Sequence, residues 1–386
     1  MVAQITFRLK LVFLLYATLG TFFYPLAVDA FAQPSHFVRV AIIEDAESLN
    51  FKANGFYEIT DVTKKKVLSK GRNLKTTIAS YEEGILVGPK NLMADKVFVK
   101  TYNPDLVIIN GRTFRGDIEL IKKENKKLSV VNYIDLEDYV KGISIREISH
   151  YWPPDALKAA VIVFRTFAIY KMQENIGRDY DLTSDIYSQV YSGFAAERYR
   201  INKAVDETKG IVITYKGKIF PAFYHATCAG HTEDASMLWD INIAPLKGVA
   251  CNFCKDSPHF SWHYVLSIKE IEDKLRKAGL RVSNIKDMLI LGRDKSGRVT
   301  DLKVISSEKE IRVSAKDFRE MISPNIIKST NFNLNIVKED VVFEGYGWGH
   351  GVGLCQWGTY FMAKEGYKYD EILKYYYPGA EITQFN

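Results

Sequence analysis

Between Val38 and about Val131, apolar and polar residues alternate in short runs: VRVAIIE, GFYEITD, VFVKTY, DLVIING and LSVVNYI. This period of two, broken by turn residues, predicts half-buried strands, with Lys70-Gly71 and Asn110-Gly111 read as turns between them. The period then changes. Leu136, Tyr139, Val140 and Ile143 recur at helical spacing behind Asp135, which can cap the helix, with Asp138 in the favoured acidic position three residues on. A second helix is predicted from Pro153 or Pro154, where a missing N–H costs nothing, with Ala156, Ala159, Ala160, Val163, Phe164 and Phe167 as its buried stripe. Further on, GIVITYKG and IFPAFYH read as strands, and SIKEIEDKLRKAG reads as an amphipathic helix closed by glycine. MLILGR, VTDLKVISS and KEIRVS read as strands, and a last helix runs from about Trp357 to Lys364. The fold class is therefore α+β: a β-rich N-terminal region over residues 33–132, followed by a mixed α/β domain over 133–386 that presents a cleft.

The first residues do not fit this pattern. Arg8 and Lys10 precede an apolar run from Leu11 to Val28 and then Ala30-Phe31-Ala32, an A-x-A site, so residues 1–32 are read as a secretory signal peptide. An uncleaved leader would instead be a membrane anchor, and either outcome places the remaining chain outside the cytoplasm, in the periplasm or cell envelope. Formal charge is +6, or +5 once Arg8, Lys10 and Asp29 leave with the leader. That excess favours screened contact with anionic envelope polymers or lipid headgroups. The lysines are dispersed and accompany no nucleic-acid-binding motif, so no nucleic-acid partner is expected.

Three windows carry chemistry. Glu147 lies between the two helices, flanked by Ile145 and Ile148 with Trp152 close in sequence. Partial desolvation there would raise its pKa and suit a general acid, whereas Arg146 or Arg165 could instead hold it in an ordinary salt bridge. The second window is His225, Cys228 and His231 followed by Cys251-Asn-Phe-Cys254. Three cysteines and one of the two histidines would make a closed, structural zinc site, and a disulfide is the alternative in an oxidising compartment. No H-E-x-x-H is present, which argues against a metallopeptidase. The third is Gly345-Tyr-Gly-Trp-Gly-His-Gly-Val-Gly353, which lacks the Lys-Ser/Thr ending of a phosphate loop. It reads as backbone needing positive φ or close packing, presenting Trp348, His350, Gln356 and Trp357 around a sugar-binding cleft, with Cys355 as a small buried residue.

Taken in order, these windows resemble the SpoIID/LytB family of bacterial cell-envelope proteins, from about Val38 to Glu381. The resemblance rests on VVNYIDLEDYVKGISIREIS, on Trp152 to Ala168, on Gln189 to Gly193 and on Tyr224 to Glu233. It continues through Ser296 to Val299, Gly345 to Thr359 and Ile372 to Gly379. It implies a SpoIID-like catalytic domain that remodels peptidoglycan, either as a lytic transglycosylase on its glycan strands or as the enhancer of a cell-wall amidase. Glu147 falls on the family's catalytic glutamate, and no catalytic cofactor is implied. Arg165, Gln189, Tyr191 and His350 are then expected to line the cleft with Gln356. A lone carboxylate suits a transglycosylase, since Asp135, Glu137 and Asp138 are better explained as helix-start residues. The chain departs from the family pattern at Ser149, Ala160, Phe164 and Cys355. If those positions line the groove, glycan binding without cleavage is the expectation.

Overall fold

The computed structural model describes residues 37–102, 106–185 and 188–385, so the leader expected over residues 1–32 lies outside the described residues. The N-terminal region forms β1 (Phe37–Ala46), β2 (Ser48–Asp61), β3 (Lys66–Tyr81), β4 (Gly84–Val87), β5 (Lys90–Asn91) and β6 (Lys96–Tyr102), of which β1, β2 and β6 fall on alternating runs. After these come β7 (Leu106–Ile109), β8 (Arg112–Arg115), β9 (Asp117–Lys122), β10 (Leu128–Asp135) and the two-residue β11 (Leu182–Thr183). They join in one sheet ordered β11-β1-β10-β9-β6-β2-β3-β4-β5, with β7 on β2 and β8 on β7. All pairs are antiparallel except β1 with β11. An irregularity between Ala53 and Phe56 lets β2 serve two neighbours, β7 through residues 51–53 and β6 through residues 56–61.

Asn110 and Gly111 both take positive φ in the turn joining β7 to β8, as their residue types predict. Lys70-Gly71 is not a turn. It lies inside β3, where a Cβ on Gly71 would meet the Tyr57 hydroxyl at 3.0 Å, and the chain reverses instead at residues 62–65. β10 carries the chain through residue 132 without a break, held between β1 and β9, and one apolar core continues from the sheet into the helices. A second core forms between Trp262 and Phe343, around the strands Ile285–Arg293, Val299–Ser306 and Glu310–Ser314 and the helix Ile268–Lys277. That helix starts on a Ser267–Glu270 capping box.

Helix α1 (Leu136–Glu147) is capped by the Asp135 carboxylate, which accepts from the N–H groups of Glu137 and Asp138. It ends where Ile148 turns extended. Helix α2 (Pro154–Glu174) begins at the expected proline, but burial is not confined to a stripe: every residue from Ala159 to Ile169 is buried, Arg165 included. A helix apolar around its whole circumference must be enclosed, and α2 packs on α1, on β1, on the strand Ile211–Tyr215 and on the helices Gln356–Lys364 and Tyr369–Tyr376. The last of these helices follows the predicted final helix and was not anticipated from the sequence.

Candidate active site and cysteine centre

Glu147 is the last residue of α1, and its carboxyl group enters a cleft of about 500 Å³. The backbone N–H of Val190 donates to its Oε1 at 3.2 Å, and Tyr224 lines the cleft beside the same carboxyl. Burial dominates this donor and pushes its pKa up to about 7. The position adds to this, since the C-terminal end of a helix disfavours negative charge. Neither expected salt bridge forms. Arg146 turns to Ser192, with Nε 2.9 Å from Oγ, and Arg165 pairs elsewhere. Trp152 also plays a different part from the one its place in the sequence suggests, packing on Trp357 and Tyr360. The walls that desolvate Glu147 come from distant segments: Phe167, Phe223, Tyr224, Trp239 and Trp348.

The glycine-rich strip forms the opposite wall. Gly347, Gly349, Gly351 and Gly353 all have positive φ, as expected, and a Cβ on Gly349 would come within 2.8 Å of the His225 Cβ. Two histidine rings straddle Val352. The Val352 carbonyl accepts from His225 Nδ1 at 3.1 Å, and the Val352 N–H donates to His350 Nδ1 at 3.1 Å. Burial keeps both rings neutral, with His350 lowered to about 3 and His225 well below the usual imidazole range. Neither brings positive charge to Glu147.

His350 and Gln356 line the cleft with Glu147. Gln189 does not reach it but sits directly behind, fully buried, with Nε2 3.3 Å from the Tyr224 hydroxyl and Oε1 accepting from Tyr139 at 3.0 Å. Tyr191 and Arg165 are corrections to the expected lining. Tyr191 is 1% exposed, bonds Asn132 through its hydroxyl at 2.8 Å, and packs where α1 approaches at Gly142. Arg165 is 0% exposed and forms a bidentate pair with Glu137, 2.9 Å from Nε to Oε1 and 2.6 Å from Nη2 to Oε2. Its remaining N–H groups meet the carbonyls of Ile211 and Val205, so it ties the start of α1 to α2 and the following strand. Sequence reasoning missed Tyr224, Val190, Phe223 and Trp239. Of these Tyr224 and Val190 carried a signal, each lying inside a window of the family resemblance, Tyr224 to Glu233 and Gln189 to Gly193.

The cysteines form a second centre. The Sγ atoms of Cys228, Cys251, Cys254 and Cys355 are buried and all within 4.8 Å of one another, and no disulfide joins them. The fourth member is Cys355, not a histidine: His225 is committed to Val352, while His231 Nδ1 faces the Thr232 carbonyl at 2.6 Å. Pairing of Tyr224–His225 with Leu354–Cys355 as parallel strands carries Cys355 to the loop of Cys228. The donors around the cluster fit bound thiolates. The N–H groups of Cys228 and Gly358 point at Cys355 Sγ at 3.3 and 3.4 Å, and the Tyr376 hydroxyl lies 3.2 Å from Cys251 Sγ. Four convergent sulfurs suit a tetrahedral metal with no open position. Arg298, fully buried, ties the same loop by donating to the carbonyls of Cys228 and His231, both at 3.0 Å.

Comparison with known proteins agrees with this arrangement. Residues 124–215, which hold both helices and Glu147, match the family model described as stage II sporulation protein. Residues 247–353 match a domain of unknown function (DUF8618). An uncharacterized protein of Brachyspira hyodysenteriae is 30% identical over 362 residues, covering 93% of this chain and 96% of that one. Stage II sporulation protein D of Bacillus amyloliquefaciens is 30% identical over 277 residues, 66% of this chain and 76% of its own. The amidase enhancer of Bacillus subtilis is 26% identical over 389 residues, 88% of this chain but 52% of its own, so the chain spans about half of that relative. The chain belongs to the stage II sporulation protein D (SpoIID/LytB) family.

Proposed function

We propose that this protein acts outside the cytoplasm as a lytic transglycosylase on peptidoglycan, cutting glycan strands between MurNAc and GlcNAc. The observation that carries the reading is Glu147: a carboxyl group with a pKa near 7, in a cleft with aromatic walls, where no second carboxylate appears among the described lining residues. Hydrolysis by two carboxylates needs a partner across the bond, and a lone one suits an internal nucleophile. Protonated Glu147 gives its proton to the glycosidic oxygen as the bond from MurNAc C1 to that oxygen breaks. The carboxylate left behind takes the proton of the MurNAc C6 hydroxyl as its oxygen bonds to C1. The products are a 1,6-anhydro end and a free GlcNAc 4-hydroxyl, with no water consumed. Phe167, Phe223, Trp239 and Trp348 supply the apolar walls against which the sugars would pack, and His350 and Gln356 lie among them.

The family departures, Ser149 included, are not among the residues that line the cleft, so they give no reason to expect binding without cleavage. Ala160 and Phe164 are both 0% exposed and line no part of the cleft, and Cys355 belongs to the sulfur cluster. The cluster itself is a structural zinc site, held by Cys228, Cys251, Cys254 and Cys355, that staples the strands behind His225 and leaves the chemistry to Glu147. Elemental analysis should find one zinc per chain, and Cys355→Ser should lower that stoichiometry. The similarity to an amidase enhancer favours a second reading, in which the protein binds glycan and stimulates a partner amidase without cutting. Mass spectrometry of glycan strands, with and without stem peptides, separates the two. Anhydro-ended fragments from the wild type but not from Glu147→Gln establish the enzyme; no fragments from either protein establish the second reading's precondition and exclude the first.

A further inference from the structure

The positive charge of this chain is concentrated on the hairpin of β2 and β3. Residues 48–81 hold seven lysines and arginines against Glu58 and Asp61, a net +5 that equals the whole excess left once the leader is removed. The strand register fixes where part of this charge points. Phe56 stands opposite Arg72 on β3 and Tyr102 on β6, and Glu58 stands opposite Lys70 and Lys100. Residues opposed across a ladder share a face, and positions two apart on a strand return to it, so these side chains form two adjacent rows on one face of the sheet. The other face is the core side, where Ile59, Val97 and Val99 are buried. On the outer face Phe56 is 54% and Tyr102 43% exposed, and Lys70, Arg72 and Lys100 are exposed with them. The Arg72 guanidinium carbon lies 4.1 Å from the centre of the Phe56 ring, and the Lys100 ammonium 5.4 Å from that of Tyr102. None of the three cations has an ion pair among the described residues, and Glu58 bonds Thr60 at 3.4 Å. Protection of a sheet edge explains only part of this. Charge on β3 discourages a stray strand from pairing there, since β4 covers only Ile78–Tyr81 of it. It does not account for Phe56, which lies on β2 with a paired strand on each side, or for two aromatic rings held in water.

We propose that this face docks on the headgroup layer of an anionic phospholipid bilayer, with Lys70, Arg72 and Lys100 meeting lipid phosphates and Phe56 and Tyr102 seated between them. Charge complementarity selects an anionic partner, because the cations are exposed and have no carboxylate of their own to satisfy them. The rings select a lipid surface over a soluble polyanion. A phosphate polymer meets the needs of the cations alone, whereas the membrane interface also takes aromatic rings out of water. The long stems of the lysines and the arginine let their charged ends reach the phosphates while the rings settle beside them. A sheet face carrying two rows of side chains also matches a broad, flat partner. The docking does not rest on the transglycosylase reading, since an enzyme and an amidase enhancer would equally be held at the bilayer surface.

The test is flotation of residues 33–386, which hold the whole described fold without the apolar leader, with vesicles of phosphatidylcholine alone or containing about one third phosphatidylglycerol. The protein should float with the anionic vesicles, stay behind with the neutral ones, and be released as added salt screens the attraction. Lys70→Gln, Arg72→Gln and Lys100→Gln together should weaken partition about a hundredfold, at about fivefold for each charge. Phe56→Ser with Tyr102→Ser should weaken it as well. Lys269→Gln, Lys277→Gln and Lys286→Gln remove the same charge from exposed positions around the second core and should leave binding in place. Failure to float with anionic vesicles overturns the proposal, and so does equal loss from both triple variants, which would make net charge the cause. Binding left unchanged by the two serine substitutions would assign the face to a soluble polyanion, such as polyphosphate, and overturn the lipid assignment. Melting temperatures establish that each variant is folded, and if the first triple variant is not, the serine pair decides by the same comparison.

Discussion

Glu137 and Glu147 stand near the two ends of the same helix, and the fold uses them in opposite ways. Glu137 meets the fully buried Arg165 guanidinium in a bidentate pair and also accepts the Gly210 N–H at 3.0 Å. Glu147 has no cation, only the Val190 N–H, with Tyr224 beside it in a desolvating aromatic wall. A carboxylate whose charge is matched becomes a fastener, while one whose charge is only partly compensated keeps a proton within reach of neutral pH. The difference lies in what three-dimensional contact supplies, not in residue type, helix or spacing.

The comparison breaks most sharply at Glu147 itself. Glu147→Gln keeps the shape and removes the exchangeable proton, so release of anhydro-ended fragments should fall by about a thousandfold or more, read by mass spectrometry, with the fold intact. The opposite outcome is expected at the other end. Glu137→Ala leaves the Arg165 guanidinium buried and unpaired, which should cost about 3 kcal/mol or more in denaturant unfolding, with activity falling only as far as the folded fraction does.

Proton linkage sharpens the contrast. Glu147 ionises near 7 in the folded protein and near about 4.3 unfolded, so the folded state holds the extra proton between these values. Its contribution is fully present below about pH 4, is lost as pH rises towards 7 and is absent above that, a change of about 4 kcal/mol at most. Unfolding free energies measured from pH 4 to pH 8 should show this decline in the wild type, and Glu147→Gln should remove it. Glycan cleavage should fall about tenfold per unit above a midpoint near 7, because the acid step needs the protonated form. The smallest effect is expected at Arg146, exposed and turned to Ser192. Arg146→Ala should move the Glu147 midpoint by less than about 0.5 units, since an exposed charge is screened; a larger shift would show that a cation does control the acid.

Much of this was legible along the chain because it depends on neighbours. The Asp135 cap, the proline start of α2, the Asn110-Gly111 turn and the alternation in β1, β2, β6, β7 and β10 are local signals, and each of these elements appears close to its predicted place. Lys70-Gly71 shows where such signals fail: the glycine serves a close approach by Tyr57 from the paired strand, a demand invisible at residue 71 itself. Glu147 was legible as a candidate from its apolar flanks and its place between two helices.

Its state was not, because desolvation is a sum over everything that surrounds a group. The segments that enclose Glu147 come from residues 167, 190, 223–224, 239 and 348. The same reason governs the other outcomes. Arg165 became a fastener because Glu137 lies 28 residues away in sequence but in contact in space, and Cys355 completed the sulfur cluster because a parallel pairing brings it to a loop 127 residues earlier. Hydrogen-bonding period, capping and turn chemistry act within a few residues and are written into the sequence directly. Dielectric environment, counter-charge and ligand geometry depend on which distant segments meet, and only the tertiary structure decided those.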